Sequence, residues 1–567
     1  MTKLTNFVFH SSLAIAIIFN IVAVGRAKAE DVNDFEELQG AINNKKTEIF
    51  IKNTIDFTAN GPVINYSNIV ISGPSENAPG LLNGENRYRL LTFKKDAKNI
   101  LLRNLHFDNG NYKDYDEDVP YFEDGGGAIR FNEEVEANLE NLIFSNNHTE
   151  FSGGAIFFQG VKDKSDKNNS LIFWGETIFN SNESTDNCGG AIEARCSNLI
   201  FKEETKFNDN KSSLFGGAID LYSISGRGSS LTFEKSVTFS ANKSGRGGAI
   251  NSNGDIKDRN ILIFREKATF VGNSGYGTIF AENSSLTFEG LATFEKNTNK
   301  DKGGDKDEGG AIYAFTNTFI EFKNGLRLIE NSTNGANSGA LHMAGESNDE
   351  PAIITLIQKN PLVPTEFRGN KSGANGNGRN AVYMERHSQF KFTVEKGNVD
   401  VYDVFSGDRN EPDNIITINR DNGWINIEKG GSLENVKVVN RGNLKLAGES
   451  RGLNLTTFEN SGIIRFEILP GGSSAKINAD SITLNAGTVL QIVAIKGQLY
   501  KEGESYDILA VNKTKIKKKE EEEGEEEGEQ EVKLEMEQNN NTIDDQNINL
   551  TSLHRDLKIE GELLEGK

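Results

Sequence analysis

One tetrapeptide constrains this chain more than any other feature. Gly-Gly-Ala-Ile stands at Gly126–Ile129, Gly153–Ile156, Gly189–Ile192, Gly216–Ile219, Gly247–Ile250 and Gly309–Ile312, with a degenerate copy at Ser338–Leu341 and weaker ones near Gly277 and Asn380. Successive starts lie about 27 to 36 residues apart, a period that marks stacked repeats rather than a single closed core. The glycine pairs Gly153-Gly154, Gly189-Gly190, Gly216-Gly217, Gly247-Gly248 and Gly309-Gly310 are the repeat's most regular element. Glycine accepts sharp backbone turns that other residues resist.

A second motif, Phe-x-x-Asn, precedes most copies by about nine residues. It reads Phe144/Asn147, Phe179/Asn182, Phe207/Asn210, Phe239/Asn242, Phe270/Asn273, Phe294/Asn297 and Phe367/Asn370, with Leu328/Asn331 as a variant. A third element lies six residues earlier still, where Phe173, Phe201, Phe233, Phe264 and Phe288 each end a short apolar run. Short segments of β-forming residues separated by Gly, Asn, Ser and Asp are strands. Three strands in about 30 residues make one coil of a solenoid. The expected fold is therefore all-β, a right-handed parallel β-helix. Stacked coils would place the Phe residues in an interior aromatic column. The Asn residues would form a ladder at a corner, where Asn tolerates left-handed conformations.

The ends read differently. Leu13–Val24 is apolar but for Asn20, and Ala27-Lys28-Ala29 follows it. Such a run is shorter than the roughly 18–20 residues of a membrane helix, and residues 1–29 read as a secretory signal peptide. The alternative is an uncleaved anchor, since Arg26 and Lys28 flank the run. Asp34–Asn44 has Phe35, Leu38 and Ile42 on one helical face, which suits a short helical cap over the open end of a solenoid. Residues 30–95 then hold the cap and first coils, 96–385 the repeats, and 386–512 a distal stretch with strand-like runs but no tetrapeptide. Residues 513–567 form a charged low-complexity tail. From Glu520 onward 17 acidic and 4 basic residues supply most of the chain's net charge of -21. Such a segment is expected to be disordered.

Phe-x-x-Asn followed by Gly-Gly-Ala-Ile, iterated over Phe107 to Val382, resembles the polymorphic outer membrane protein (Pmp) repeats of chlamydiae. Val399–Val404 and Ala486–Ala510 are similar to the distal passenger region of type V autotransporters. The resemblance implies an adhesin passenger on a β-helix, exported by the Sec route and displayed at the cell surface, in the outer membrane or secreted. It implies a host-cell receptor or glycan as partner. It also implies a C-terminal outer-membrane β-barrel, which needs at least about eight alternating strands. The mostly charged residues after Ala510 do not read as one, so a separate barrel is expected as a second partner.

Other function classes find little support. A net charge of -21 and a pI of about 5.0 argue against nucleic acid. No nucleophile-elbow, zincin or phosphate-loop sequence occurs, and no catalytic residue, metal ligand or cofactor is expected. The main rival is a carbohydrate-active β-helix enzyme, and the third reading is a structural surface coat. Asp114, Asp116, Glu117 and Asp118 open like a calcium loop, but Val119 and Gly125 occupy positions that such a loop gives to Gly and Glu. That stretch, and Asp301, Asp305, Asp307 and Glu308, read as calcium candidates or as solvated loops. Cys188 and Cys196 flank one tetrapeptide strand. They form either a disulfide, which requires a sharp turn between them, or free or intermolecular thiols. Binding is expected in loops that interrupt the period, namely Lys162–Asn169, Gly254–Asn260 and Thr298–Glu308.

Overall fold

The computed structural model describes residues 29–511 except 96, 114–123, 161–169, 224–226, 300–308, 336, 374–377, 379, 412, 496–497 and 499–505, together with the backbone of 532–537 and 559–564. The signal-peptide reading, both calcium candidates and the loop Lys162–Asn169 fall outside these residues.

The fold is a parallel β-helix. Coil after coil repeats the same strands, and each strand pairs in parallel with its equivalent one coil on. Thr177–Asn180 pairs with Thr205–Asn208, which pairs with Val237–Ser240. Ser170–Phe173, Asn198–Phe201 and Ser230–Phe233 form a second ladder, and Ile156–Gln159, Ile192–Arg195 and Ile219–Tyr222 a third. The register is residue for residue, so the sequence repeat becomes a spatial column. A fourth ladder of short strands runs from Asn111–Tyr112 through Glu183–Ser184 and Lys211–Ser212 to Ser332–Thr333. The three-strand reading of the repeat missed it because its residues are polar and only two to four long, too short to show alternation.

The interior is built from two phenylalanine columns. Phe144, Phe179, Phe207, Phe239, Phe270 and Phe294 stack with centroids 4.5 to 4.9 Å apart and planes within 4°. That spacing is the strand separation itself. Phe173, Phe201, Phe233, Phe264, Phe288 and Phe322 form the second column. The columns meet edge to face, Phe201 on Phe207 at 5.9 Å and 79°. Rings within a column thus stack, while the two columns set ring edge against ring face.

The helix Phe35–Asn43 covers the first coil. Asp34 caps it by accepting from the Glu37 N–H at 2.9 Å, and Phe35, Leu38, Ala41 and Ile42 are buried. This is the amphipathic face legible in the sequence. Glu30–Val32 pairs with Glu48–Ile51 beside it.

Between residues 415 and 463 the coils shorten. Ile415 pairs with Lys437, and Lys437 with Thr457, so a coil there needs little more than 20 residues. In the charged tail, expected to be disordered, Val532–Glu537 pairs with Val489–Ala494 and Ile559–Leu564 pairs with Val532–Glu537. Val532-Lys533-Leu534-Glu535-Met536-Glu537 alternates apolar and charged residues. That is the pattern of a strand, hidden by the composition around it. Among the described residues no helix is long and apolar enough to cross a membrane, which says nothing of strands.

Candidate functional site

The motif residues serve the coil. Asn147, Asn182, Asn210, Asn242, Asn273, Asn297, Asn331 and Asn370 are all fully buried. Each amide works in three directions, as at Asn210. Its Nδ2 donates to the Phe179 carbonyl at 3.0 Å and to Asn242 Oδ1 at 2.9 Å. Its Oδ1 accepts from Asn182 N and Nδ2 at 3.1 and 2.9 Å. The ladder ends at Asp403, whose carboxylate accepts from the Gly369 and Asn370 backbone and from Asn370 Nδ2. An acceptor-only side chain fits where the ladder passes no donor further on.

The ladder Asn is not the left-handed residue. That conformation falls one position earlier, on Asn146, Ser181, Asp209, Ala241, Lys296 and Glu330, with φ between 53° and 55°. The buried amide network holds the corner even where Ala or Glu must adopt this costly conformation. The two glycines differ in role. The first has positive φ, 68° at Gly153 and 66° at Gly189. The second has none, but a Cβ on Gly217 would lie 2.1 Å from the Gly248 carbonyl oxygen of the next coil.

The tight Gly-Gly turn has a second consequence. In the third ladder the Ile points into the core, so the residue after it points outward. That column reads Arg130, Phe157, Glu193, Asp220, Asn251, Phe280, Tyr313 and His342. From Phe157 to His342 every member is nevertheless buried. The residues just before each repeat's first glycine, Cys188, Phe215, Arg246 and Tyr276, belong to a second column that the turn brings beside it. Arg246 lies 4.4 Å from the Phe280 ring centre and 5.0 Å from that of Phe215. Arg130 and Arg195 stack on Phe157 at 5.8 and 5.1 Å.

Polar and charged groups concentrate at Cys188, Glu193 and Asp220. One ligand atom from each, the Cys188 sulfur and one carboxylate oxygen apiece, lies within 4.8 Å of the others. Arg195 is hydrogen-bonded and ion-paired to Glu193 through Nε and Nη2, both on Oε1. Asn251 Nδ2 donates to Asp220 Oδ1 at 2.6 Å. Burial pushes the Asp220 carboxyl up to about 7, with the Glu193 charge adding to it. Burial raises the Cys188 thiol too, and Asp220 and Glu193 add to that. Burial disfavours the Arg195 charge, but Glu193 and Asp220 outweigh it and its pKa is raised. The two cysteines are not bridged. Cys196 sits past the far end of Ile192–Arg195, at φ 49°. Sequence spacing hid this cluster, since Glu193 and Asp220 stand 27 residues apart and meet only because both are the fourth residue after a repeat's first glycine.

The loops expected to bind are narrower than their sequence limits. Asn260 is fully buried, its amide donating to the Leu221 carbonyl and its Oδ1 accepting from Ser223 and Ser229. A Cβ on Gly254 would lie 1.9 Å from the Asn283 carbonyl oxygen. Arg259 is held over the Phe319 ring at 4.4 Å. Around the tip 255–258 the exposed side chains are Ile256, at 54%, Lys257 and Arg259. Thr298–Asn299 is a strand of the fourth ladder, and the rest of that loop lies outside the described residues.

Comparison with known proteins gives one family. Residues 141–159 match the Chlamydia polymorphic membrane protein repeat, a stretch that holds Phe144, Asn147, Gly153 and Gly154. The chain therefore carries that repeat, and the same elements recur along its solenoid. Neither a curated protein nor a solved structure matches the chain.

Proposed function

We propose that this solenoid is the passenger part of a surface-displayed adhesin, which attaches to host cells through loops projecting from a rigid rod. The repeat of residues 141–159, shared with a family of chlamydial membrane proteins, supports surface display. The observation that carries the loop assignment is the occupancy of the motif residues. The interior Phe rings and ladder Asn amides are buried and fully engaged, so recognition falls to what the coil does not consume. In the described repeat region the tip 255–258 is such a segment, with Ile256 and Lys257 exposed. Loops on a rigid scaffold are the usual carriers of binding, and contacts from such a tip are weakened by salt.

The test is binding of beads coated with the full chain to cultured epithelial cells. Wild type is expected to bind, and replacing residues 255–258 with Gly/Ser is expected to reduce binding while the β spectrum stays unchanged. Wild type that does not bind overturns the adhesin reading. Binding undiminished by the replacement overturns the role of this tip.

A further inference from the structure

We propose that Cys188, Glu193 and Asp220 form a binding site for one divalent cation of the zinc class, clamping two successive coils together. The three residues approach from two directions. Glu193 and Asp220 are register partners on adjacent third-ladder strands, and Cys188 is laid beside them by the turn at Gly189, φ 66°. Their ligand atoms lie within 4.8 Å of one another. A tetrahedral zinc with sulfur at about 2.3 Å and oxygens at about 2.0–2.2 Å requires a contraction of about 1 Å, within reach of side-chain adjustment.

A second observation points to a ligand. Glu193 is 1% exposed, and its Oε2 has no hydrogen-bond partner. An arginine facing a carboxylate ordinarily spreads its two N–H groups over both oxygens. Arg195 instead places Nε and Nη2 on Oε1 alone, leaving the other oxygen without a partner on a buried carboxylate that lies beside a thiol and a second carboxylate. An unsatisfied charged oxygen in such a place is destabilising unless something pairs with it. Asn251, 1% exposed and hydrogen-bonded to Asp220, has its own Oδ1 unpartnered.

The donor set selects the ion. A thiolate disfavours calcium and magnesium, which take oxygen ligands, and one sulfur with two carboxylates suits zinc or cobalt. The three ionised ligands carry three negative charges; Arg195 offsets one and a divalent cation the other two, with the Arg246 charge also reaching Asp220. Binding releases to solvent the protons that Cys188 and Asp220 carry. Water completes the coordination, and Cys188, 8% exposed, gives the site its edge to solvent. Arg195 and Asn251 then act as outer partners that orient the carboxylates.

The experiment uses the full chain, stripped with a chelator and titrated with cobalt(II) while the near-ultraviolet thiolate-to-cobalt charge-transfer absorption is followed. Zinc(II) competition then gives the zinc affinity. The expected result is a charge-transfer band saturating at one cobalt per chain and abolished by zinc. Cys188→Ser should remove the band, and Glu193→Gln and Asp220→Asn should each weaken binding by at least about tenfold, since even outer-partner losses cost about 10–100-fold. Zinc should raise the thermal midpoint of wild type but not of Cys188→Ser, a nearly isosteric change that keeps the test valid if a charge-neutralising variant misfolds. Cys196→Ser should behave as wild type. Absence of the band, a band that survives Cys188→Ser, or one that is lost in Cys196→Ser overturns the proposal.

Discussion

Replacing Asn210 by alanine should damage the solenoid more than a typical single polar-to-alanine change. The side chain makes four hydrogen bonds, two donated and two accepted, at 2.9 to 3.1 Å, and it is fully buried. Each such bond contributes about 1 kcal/mol net, but a buried group left without its partner costs about 1–3 kcal/mol. Asn182 Nδ2 keeps its bond to the Phe144 carbonyl, and Asn242 Oδ1 keeps the Asn210 N–H. The Asn182 N–H and the Phe179 carbonyl are the groups left exposed to the full penalty. Two such losses, with some relaxation, sum to about 2–5 kcal/mol. The assay is urea unfolding of the full chain followed by circular dichroism, with backbone hydrogen exchange to localise the damage. Exchange should quicken in the coils around Asn182, Asn210 and Asn242 before it quickens at the ends, because each coil leans on its neighbours. An unchanged midpoint with unchanged exchange would refute the reasoning, because it would mean that the amide is satisfied by water.

Phe207→Ala should cost about 3–5 kcal/mol, since its ring stacks at 4.8 Å on both Phe179 and Phe239; the urea midpoint reads this directly. Gly217→Ala should lower the thermal midpoint sharply, its Cβ meeting the Gly248 carbonyl oxygen at 2.1 Å. Gly40→Ala, in the capping helix with nothing within 4 Å, should instead stabilise by about 0.5–1 kcal/mol. Burial lowers the His106 and His148 pKa values, with Asp108 and Glu183 opposing it respectively. A lowered folded-state value means that the unfolded chain binds more protons just below about pH 6.5. The stability these groups contribute is present above that pH and lost as pH falls toward their folded values. The urea midpoint should therefore drop on acidification, and His106→Gln with His148→Gln should flatten that drop.

How far the sequence could be read depended on how local each feature is. The Phe and Asn columns were legible because one residue type returns at one period, and parallel in-register stacking turns a period into a column. The helix Phe35–Asn43 was legible from its apolar face. The fourth ladder was not, because Glu183-Ser184 and Lys211-Ser212 carry no hydrophobic signal. Assigning the left-handed corner to Asn was an error of one residue: Ala241 and Glu330 adopt it because the neighbouring amide network imposes it. Reading each residue in isolation hid the Cys188–Glu193–Asp220 cluster. Glu193 has one apolar and one acidic register partner, Phe157 and Asp220, and only aligning the repeats by their first glycine sets the two acids side by side. The shorter distal coils kept their strands legible but not their period, as Ile415, Lys437 and Thr457 show.

The central claim is the in-register stacking of coils, and paired cysteine substitutions test it most directly. Lys206 and Thr238 are register partners on adjacent coils, and Thr238 pairs in turn with Thr269. Adjacent parallel strands lie about 4.8 Å apart, inside the Cα range of a disulfide, whereas two coils lie about 10 Å apart, beyond it. Under mild oxidation, with the bridge located by peptide mapping, Lys206→Cys with Thr238→Cys should cross-link within one chain, and Lys206→Cys with Thr269→Cys should not. Cross-linking of the second pair, or none in the first, would contradict the register on which the fold, the ladders and the cluster all depend.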